Sequence, residues 1–469
     1  MPVVKLIGHN FIFPVSDIMR MFYGESRCAG ENTVSAGEDL DTTIYSTLSG
    51  GVVMTWIEGS KDSTCPDIST YLLPPKREVK RQLYLILSKL LDCTYPWGSL
   101  TGIRPTVVAR EVRSAQEYSG KYFVRSDKAM LAIETAACED RILETASSDL
   151  LCGYIGVPFC RSRCSYCSFI SCDAALQLAL LPAYSDAVQK EIDCYFRDNT
   201  PGLSCLYVGG GTPTVFDDNT FRNFLNRAFT SLHADKIKEI TVEAGRPDTI
   251  TDHKLRTMHD LGVDRICINP QTLSDKTLAL VGRRHSADDF YRAYDAARKI
   301  GFTTINTDLI AGLPEENEED FSRSLEGILS LEPENITIHT LSKKKKATIA
   351  SEIHRLVDQE LINELDRMLL LASKRLKEKG YDPYYLYRQK DTLGGHENTG
   401  YTKKGHACVY NVAMMSDQRS ILAFGAGSVS KRASVNSRLE RSQNVRDIQE
   451  YLRRSEEMAL RKCKLFCGK

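Results

Sequence analysis

No stretch of 18 or more apolar residues occurs in this 469-residue chain, which argues against a membrane-spanning helix. Nor does a positively charged leader followed by an apolar run open it, so export is not expected and a soluble, cytoplasmic protein is. An excess of charge is missing too. Lys plus Arg and Asp plus Glu number 61 each, which removes the compositional reason to expect nucleic acid or another polyanion as the partner. Internal repeats and low-complexity segments are absent apart from the run Lys343 to Lys346. A chain of this length is expected to divide into two or three packed units.

Cysteine is what the chain has in quantity. The 15 cysteines are odd in number and mostly scattered singly through apolar segments, a pattern that fits small buried hydrophobes in a reducing compartment rather than a disulfide framework. Cys152, Cys194, Cys205 and Cys267 read as core residues. Cys463 and Cys467 have no other ligand beside them. From Cys152 to Cys172, however, five cysteines fall close together, and metal chemistry is the leading reason for such density.

Three units are expected: residues 1–150, 151–345 and 346–469. The first is a mixed α/β domain with a hairpin from Thr43 to Glu58 turning at Ser49-Gly50-Gly51. A helix carrying Val79, Leu83, Ile86, Leu87 and Leu90 follows Pro74-Pro75, and further helices are expected over 107–118 and 126–147. The phrase Thr101-Gly102-Ile103-Arg104-Pro105-Thr106 reads first as an interdomain turn and second as a ligand loop. From Tyr154 the pattern becomes short β-rich runs alternating with helices: 154–157, 205–208, 240–243, 265–269, 303–310 and 335–341. Six such units predict an α/β fold, a partial (β/α)6 barrel open at one side. A long helix over 351–379 leaves it, and the segments around 383–389 and 425–428 suggest a small C-terminal module covering the opening.

Immediately after the first of these strands comes Pro158-Phe159-Cys160-Arg161-Ser162-Arg163-Cys164-Ser165-Tyr166-Cys167, with thiols spaced C-x3-C-x2-C. An electron-transferring [4Fe-4S] cluster normally takes four thiolates. Three leave one iron open, as catalytic metal sites do. S-adenosylmethionine could chelate that iron and be cleaved by one electron, chemistry that the cofactor supplies. A zinc site with Cys172 as fourth ligand is the plain alternative.

In β/α barrels the site lies where strands end. Gly209-Gly210-Gly211-Thr212-Pro213-Thr214 follows the second strand and could admit a ligand against bare backbone, or could simply be a tight turn. Glu243 ends the third strand, Gln271 follows the fourth and Asp308 lies near the end of the fifth. Each alone could be a satisfied core group or a helix cap. Together they could accept from a ribose and a zwitterionic methionine, with Arg283 pairing to the ligand carboxylate.

Tyr154-Ile155-Gly156-Val157-Pro158-Phe159-Cys160, the three-cysteine loop, Gly209 to Thr214 and Asp308-Leu309-Ile310-Ala311-Gly312-Leu313-Pro314 resemble the oxygen-independent coproporphyrinogen III oxidase family of radical S-adenosylmethionine enzymes. The resemblance spans roughly residues 150–430. It is strongest to the coproporphyrinogen dehydrogenase branch (HemZ), on the Gly-Ile-Arg-Pro-Thr phrase, Val242 to Asp248, Tyr385 to Lys390 and Glu397 to Tyr401. It implies that Cys160, Cys164 and Cys167 hold the [4Fe-4S] cluster, and that Tyr154, Gly210, Gly211, Thr212 and Glu243 contact cluster-bound adenosylmethionine. Tyr166, Gln271, Arg283 and Asp308 match further adenosylmethionine positions, including those of a second molecule, and Ser342 matches another. The implied reaction converts two propionates of coproporphyrinogen III to vinyls, and requires an electron donor and an electron acceptor. Arg388 or the Lys343 to Lys346 run could hold the unreacted propionates; as a plain solvated loop that run needs no ligand.

One position departs from the family pattern. The oxidases carry a further cysteine two residues after the third ligand, where this chain has Phe169, an ending shared with haem-chaperone relatives. Three readings therefore stand: the dehydrogenase, a haem-binding chaperone with His339, His396 or His406 as iron ligand, and a radical enzyme with another substrate.

Overall fold

The computed structural model describes residues 2–37, 42–59, 73–147, 150–167, 172–173, 177, 179–342, 359–389, 392–433 and 439–468. At the N-terminus, β1 (Val3–Ile7), β2 (Arg27–Gly30), β3 (Thr33–Ser35), β4 (Thr43–Ser49) and β5 (Val52–Ile57) form a sheet in the order β2-β3-β1-β4-β5. The expected hairpin is β4–β5, and both Gly50 and Gly51 adopt positive φ at its turn, conformations that favour glycine. Alternation puts Val4, Leu6, Ile44 and Val53 on one face, where the helices Ile12–Tyr23 and Pro75–Leu90 bury them with Val15, Ile18, Val79 and Leu83. The helix expected over 107–118 is instead two, Pro105–Ala109 and Ala115–Tyr122. Ser114 explains the break: its side chain accepts from the Glu117 amide and starts a new helix, as N-capping serines do. The helix Ser126–Thr145 follows.

Among the described residues the second sheet has eleven strands, numbered β6 and β9 to β18 with the ranges given below, in the order β14-β15-β13-β12-β11-β10-β9-β6-β16-β17-β18. Its centre is β6 (Leu151–Val157), β9 (Leu203–Gly210), β10 (Glu239–Gly245), β11 (Arg265–Ile268), β12 (Thr304–Ala311) and β13 (Asn335–Thr340), all parallel neighbours. Both faces are buried, but differently: Val208, Val242, Ile266 and Ile305 face the helices, while Tyr207, Glu243, Asn306, Asp308 and Thr337 face the interior, so several of the strands alternate. Phe221, Leu225, Phe290, Phe321 and Leu325 on the surrounding helices close over Val208, Val242, Ile266 and Ile305 to make the main core. Two of those helices begin with reciprocal capping boxes, Ser286 with Asp289 and Asn317 with Asp320, which fix where each strand-to-helix loop ends. Between β6 and β9, β7 (Phe159–Cys160) pairs with β8 (Cys172–Asp173).

The C-terminal segment adds strands to both edges of this sheet. β14 (Asp382–Arg388) and β15 (Glu397–Thr402) add to the β13 edge, while β16 (Ile421–Phe424), β17 (Val429–Arg432) and β18 (Glu440–Gln443) add to the β6 edge. Edge strands with unpaired backbone groups recruit such additions. The long helix is observed over Gln359–Glu378; its expected start at 351 and the Lys343 to Lys346 run lie outside the described residues. Among the described residues no helix is long and apolar enough to cross a membrane.

Helix Ser126–Thr145 packs along β14 and joins the N-terminal region to the barrel sheet. Arg388 is directed to this contact, not to a ligand: it is 7% exposed, lies over Trp97, and donates to the carbonyls of Gly395 and Leu100. Period-2 alternation is the reason. Tyr385 and Tyr387 face the barrel interior while Leu386 and Arg388 face the N-terminal helices. The Thr101 to Thr106 phrase sits at the same contact, with the Ile103 carbonyl accepting from the Arg388 amide at 2.8 Å and Arg104 paired to Asp417.

Candidate functional site

The C-terminal ends of the parallel strands open into a cavity of about 660 Å³. All three cysteines of the loop line it. Burial, assisted by the neighbouring Cys167 and Cys164 thiols, pushes the Cys160 thiol up to about 11 even though the Thr212 hydroxyl donates to its sulfur at 3.5 Å. A metal must therefore displace that proton as it binds. The loop is pinned to the loop after β11 by Ser165 N–H to the Val281 carbonyl, 3.0 Å, and by the Ser162 hydroxyl to the Gly282 carbonyl, 3.2 Å. Among the described residues no three His, Cys, Asp or Glu side chains stand close enough to hold a single metal ion. A four-iron cube makes a different demand, one thiolate for each ligated iron. Three thiols spaced along one loop at the edge of open space fit that demand.

Glu243, at the end of β10, accepts from the Tyr207 hydroxyl at 2.6 Å and from the Gly210 amide at 3.1 Å. Burial pushes its carboxyl up to about 7, with the nearby Asp308 charge adding to the rise and the two donors opposing it. Sequence alone favours ligand approach as the reason for three successive glycines; the structure gives two of them a packing reason. A Cβ on Gly209 would meet the Glu243 carboxyl at 2.7 Å, and one on Gly211 would meet the Phe159 backbone at 2.5 Å. Gly210 adopts φ +112 and lies on the cavity wall with Gly211 and Thr212.

Elsewhere on the lining, Arg283 donates to the Tyr166 hydroxyl at 2.9 Å and to the Asn269 carbonyl at 2.7 Å, while its Nε and the Asn269 Oδ1 are buried without a partner among the described residues. Gln271 holds φ +73 while its backbone brackets β12, donating to the Asp308 carbonyl and accepting from Ile310. Such a conformation in a residue other than glycine is strained and concentrates at functional sites. Asp308 accepts from Asn306 at 2.7 Å and lies 3.4 Å from His339 Nε2, whose Nδ1 is 3.3 Å from the Tyr387 hydroxyl. Tyr154, Tyr166, Gly210, Gly211, Thr212, Glu243, Gln271, Arg283, Asp308 and Ser342 thus share one cavity with the three cysteines. His396 and His406 do not line it; His396 is wholly buried and His406 bonds to Thr304.

The strand-end rule misses the cavity floor. Tyr410, Met414 and Met415 come from the helix Val409–Ser416, and Tyr410 stacks on Tyr207 (centroids 4.6 Å apart) and on Tyr154 (5.7 Å). Nothing local marks these residues. Arg246 was within reach of the rule, since it directly follows β10.

Residues 154–328 match the Radical SAM superfamily. Over 447 residues the chain is 34% identical to the oxygen-independent coproporphyrinogen-III oxidase-like protein HemZ of Bacillus subtilis, covering 89% of this chain and 88% of that one. The chain belongs to the HemZ-type, coproporphyrinogen oxidase-like family of radical SAM proteins. Membership implies use of a [4Fe-4S] cluster and S-adenosylmethionine. The heme chaperone HemW of Bacillus subtilis is 27% identical over 277 residues, 59% of this chain and 69% of its own length. The structure of coproporphyrinogen III oxidase (HemN) from Escherichia coli superposes with a TM-score of 0.52 at 20% identity, covering 69% of this chain and 73% of that one. That likeness establishes a shared partial-barrel α/β fold.

Proposed function

We propose that this HemZ-type protein is an oxidoreductase that decarboxylates two propionate side chains of coproporphyrinogen III to vinyls, giving protoporphyrinogen IX. One observation carries the reading furthest: a single cavity of about 660 Å³ joins the three-cysteine loop to Glu243, Gln271, Arg283 and Asp308 and to the aromatic side chains Tyr385, Tyr387 and Tyr410. Cys160, Cys164 and Cys167 would hold the cluster, which when bound supplies one-electron cleavage of adenosylmethionine to methionine and a 5′-deoxyadenosyl radical. Thr212, Glu243, Gln271 and Asp308 would orient the adenosylmethionine, and Tyr166 with Arg283 would close its side of the cavity. Tyr154, Gly210 and Gly211, which line the same cavity, would contact the adenosylmethionine. The bound cofactor would supply the hydrogen-atom acceptor; each propionate would lose a β-hydrogen atom, carbon dioxide and one electron, and that electron must pass to an external acceptor.

Glu243 makes this reading sensitive to pH. Its carboxyl is pushed up to about 7 by burial, and the ionised form is the one that pairs with a ligand ammonium group and accepts at both oxygens. Binding must therefore release a proton below that value. Adenosylmethionine affinity is expected to fall about tenfold for each pH unit below 7 and to level off above it. Calorimetric titration at pH 6, 7 and 8 measures this; an affinity constant across that range would remove Glu243 from the ligand contacts.

A haem-carrying function is the second reading, and His339 favours it, because of the three candidate histidines only His339 lines the cavity. Anaerobic incubation of reconstituted protein with adenosylmethionine, reductant, an electron acceptor and coproporphyrinogen III separates the two. Vinyl products found by mass support the dehydrogenase. No product, together with a stoichiometric haem spectrum lost in His339→Ala, supports the carrier.

A further inference from the structure

The loop between the first two cysteines is gripped by a buried ion pair from the next strand but one. Arg246 follows β10 and is 4% exposed. Its Nε and Nη2 donate to the two carboxylate oxygens of Asp248 at 2.9 and 3.2 Å, a two-point pairing that fixes the plane of the guanidinium. The remaining nitrogen, Nη1, is turned into the cysteine loop. It donates to the Ser162 hydroxyl at 2.9 Å and the Ser162 carbonyl at 3.2 Å, and it lies 3.9 Å from Cys164 Sγ. Arg161 adds a second tie, donating to the Asp248 carbonyl at 2.6 Å.

Orientation gives this pair an electrical consequence. The guanidinium stands between the Asp248 carboxylate and the sulfur, so the positive end of the pair faces Cys164 in a site where little water screens it. An N–H donor and a positive potential beside a ligand sulfur favour the form of a cluster that has gained an electron, and such contacts are among the levers that set iron–sulfur potentials. We propose that Arg246 is a positioning residue for the cluster: it places the Cys164 sulfur and raises the cluster's reduction potential. The proposal rests on the assignment of Cys160, Cys164 and Cys167 as cluster ligands. It concerns only residues of this chain and is independent of the substrate.

The test uses full-length reconstituted protein, with iron content and the midpoint potential of the cluster, followed by electron paramagnetic resonance in a redox titration, as readouts. Arg246→Met removes donor and charge; Arg246→Lys keeps the charge and loses the planar fork. The expected result is a midpoint shifted to more negative potential in Arg246→Met, with a smaller shift in the same direction in Arg246→Lys, at wild-type iron content. Should Arg246→Met fail to take up iron, Arg246→Lys alone decides by the same shift. A wild-type potential in an iron-replete variant would overturn the proposal, because a loop staple with no electrical role predicts no change. Wild-type protein that assembles no cluster would overturn the cysteine assignment beneath it, a distinguishable failure.

Discussion

Replacing Cys160, Cys164 or Cys167 by Ala is expected to reduce adenosylmethionine cleavage to background, and each single substitution should do so. The reason lies in the ligand count. With three thiolates proposed for four irons, one iron would be open, and loss of a further thiolate would leave two irons without protein ligands. Iron in the reconstituted wild type should approach about four per chain and fall sharply in each variant. Cys172→Ala, outside the C-x3-C-x2-C spacing, and Cys267→Ala, on β11 beside Tyr207, are expected to keep both the iron and the cleavage. An Ala variant of the three-cysteine loop that retained full iron and cleaved adenosylmethionine would contradict the assignment. Loss of the cluster in Cys172→Ala would instead indicate a four-thiolate centre with no open iron.

Lys128→Met should destabilise the whole protein by roughly 3–5 kcal/mol, the usual cost of stranding one partner of a buried ion pair. Lys128, on the helix Ser126–Thr145, donates to Glu397 of β15 at 2.5 Å, and the Trp97 indole N–H donates to the other carboxylate oxygen at 2.8 Å. Both charged side chains are 4% exposed. Burial alone would raise the Glu397 carboxyl, but Lys128, His396 and Trp97 hold it down to about 2. A carboxyl depressed in this way stabilises the fold above its unfolded value near 4.3, and that contribution is lost as pH falls from there through about 2. Lys128→Met removes the cation that holds Glu397 down, so the variant should lose stability at neutral pH and lose less than the wild type on acidification. The double substitution Lys128→Met with Glu397→Leu should recover much of the loss, since an apolar pair of similar volume is often as stable as the ions it replaces. Urea unfolding at pH 7 measures all three, and a Lys128→Met midpoint equal to wild type would count against the pair.

That contact matters to the site because β15 alternates. Glu397 points to the N-terminal helices, whereas Asn398, the next residue, lines the cavity with Tyr385 and Tyr387 of β14. The N-terminal region thus supports one wall of the barrel through a few buried polar contacts.

Residues whose placement in the cavity follows from position along one strand were legible in the sequence. Ile240 to Glu243 reads as a strand because Ile240, Thr241 and Val242 are all β-branched, and a carboxylate at the strand's end then stands out. The cysteine spacing is local and needs no fold to be recognised. Choices between two faces were not legible. The alternation of Tyr385, Leu386, Tyr387 and Arg388 separates two pairs without saying which pair faces the cavity, and Arg388, a plausible partner for carboxylates, lies on the other side. Tyr410 and Met414 were hidden because they reach the floor from a helix distant in sequence. The joining of β14–β15 and β16–β18 to opposite edges of one sheet depends on long-range pairing, which composition and periodicity do not encode.

Under the proposed function, hydrogen would leave a propionate β-carbon for the adenosyl group of the cofactor. Reconstituted protein supplied with coproporphyrinogen III deuterated at those carbons, adenosylmethionine, reductant and an electron acceptor tests it in one measurement. The reacting carbon must approach the adenosyl carbon to about 3–3.5 Å for transfer to compete, so deuterium should appear in 5′-deoxyadenosine in step with carbon dioxide and vinyl product. Adenosylmethionine cleavage with no deuterium in 5′-deoxyadenosine and no vinyl product would contradict the claim.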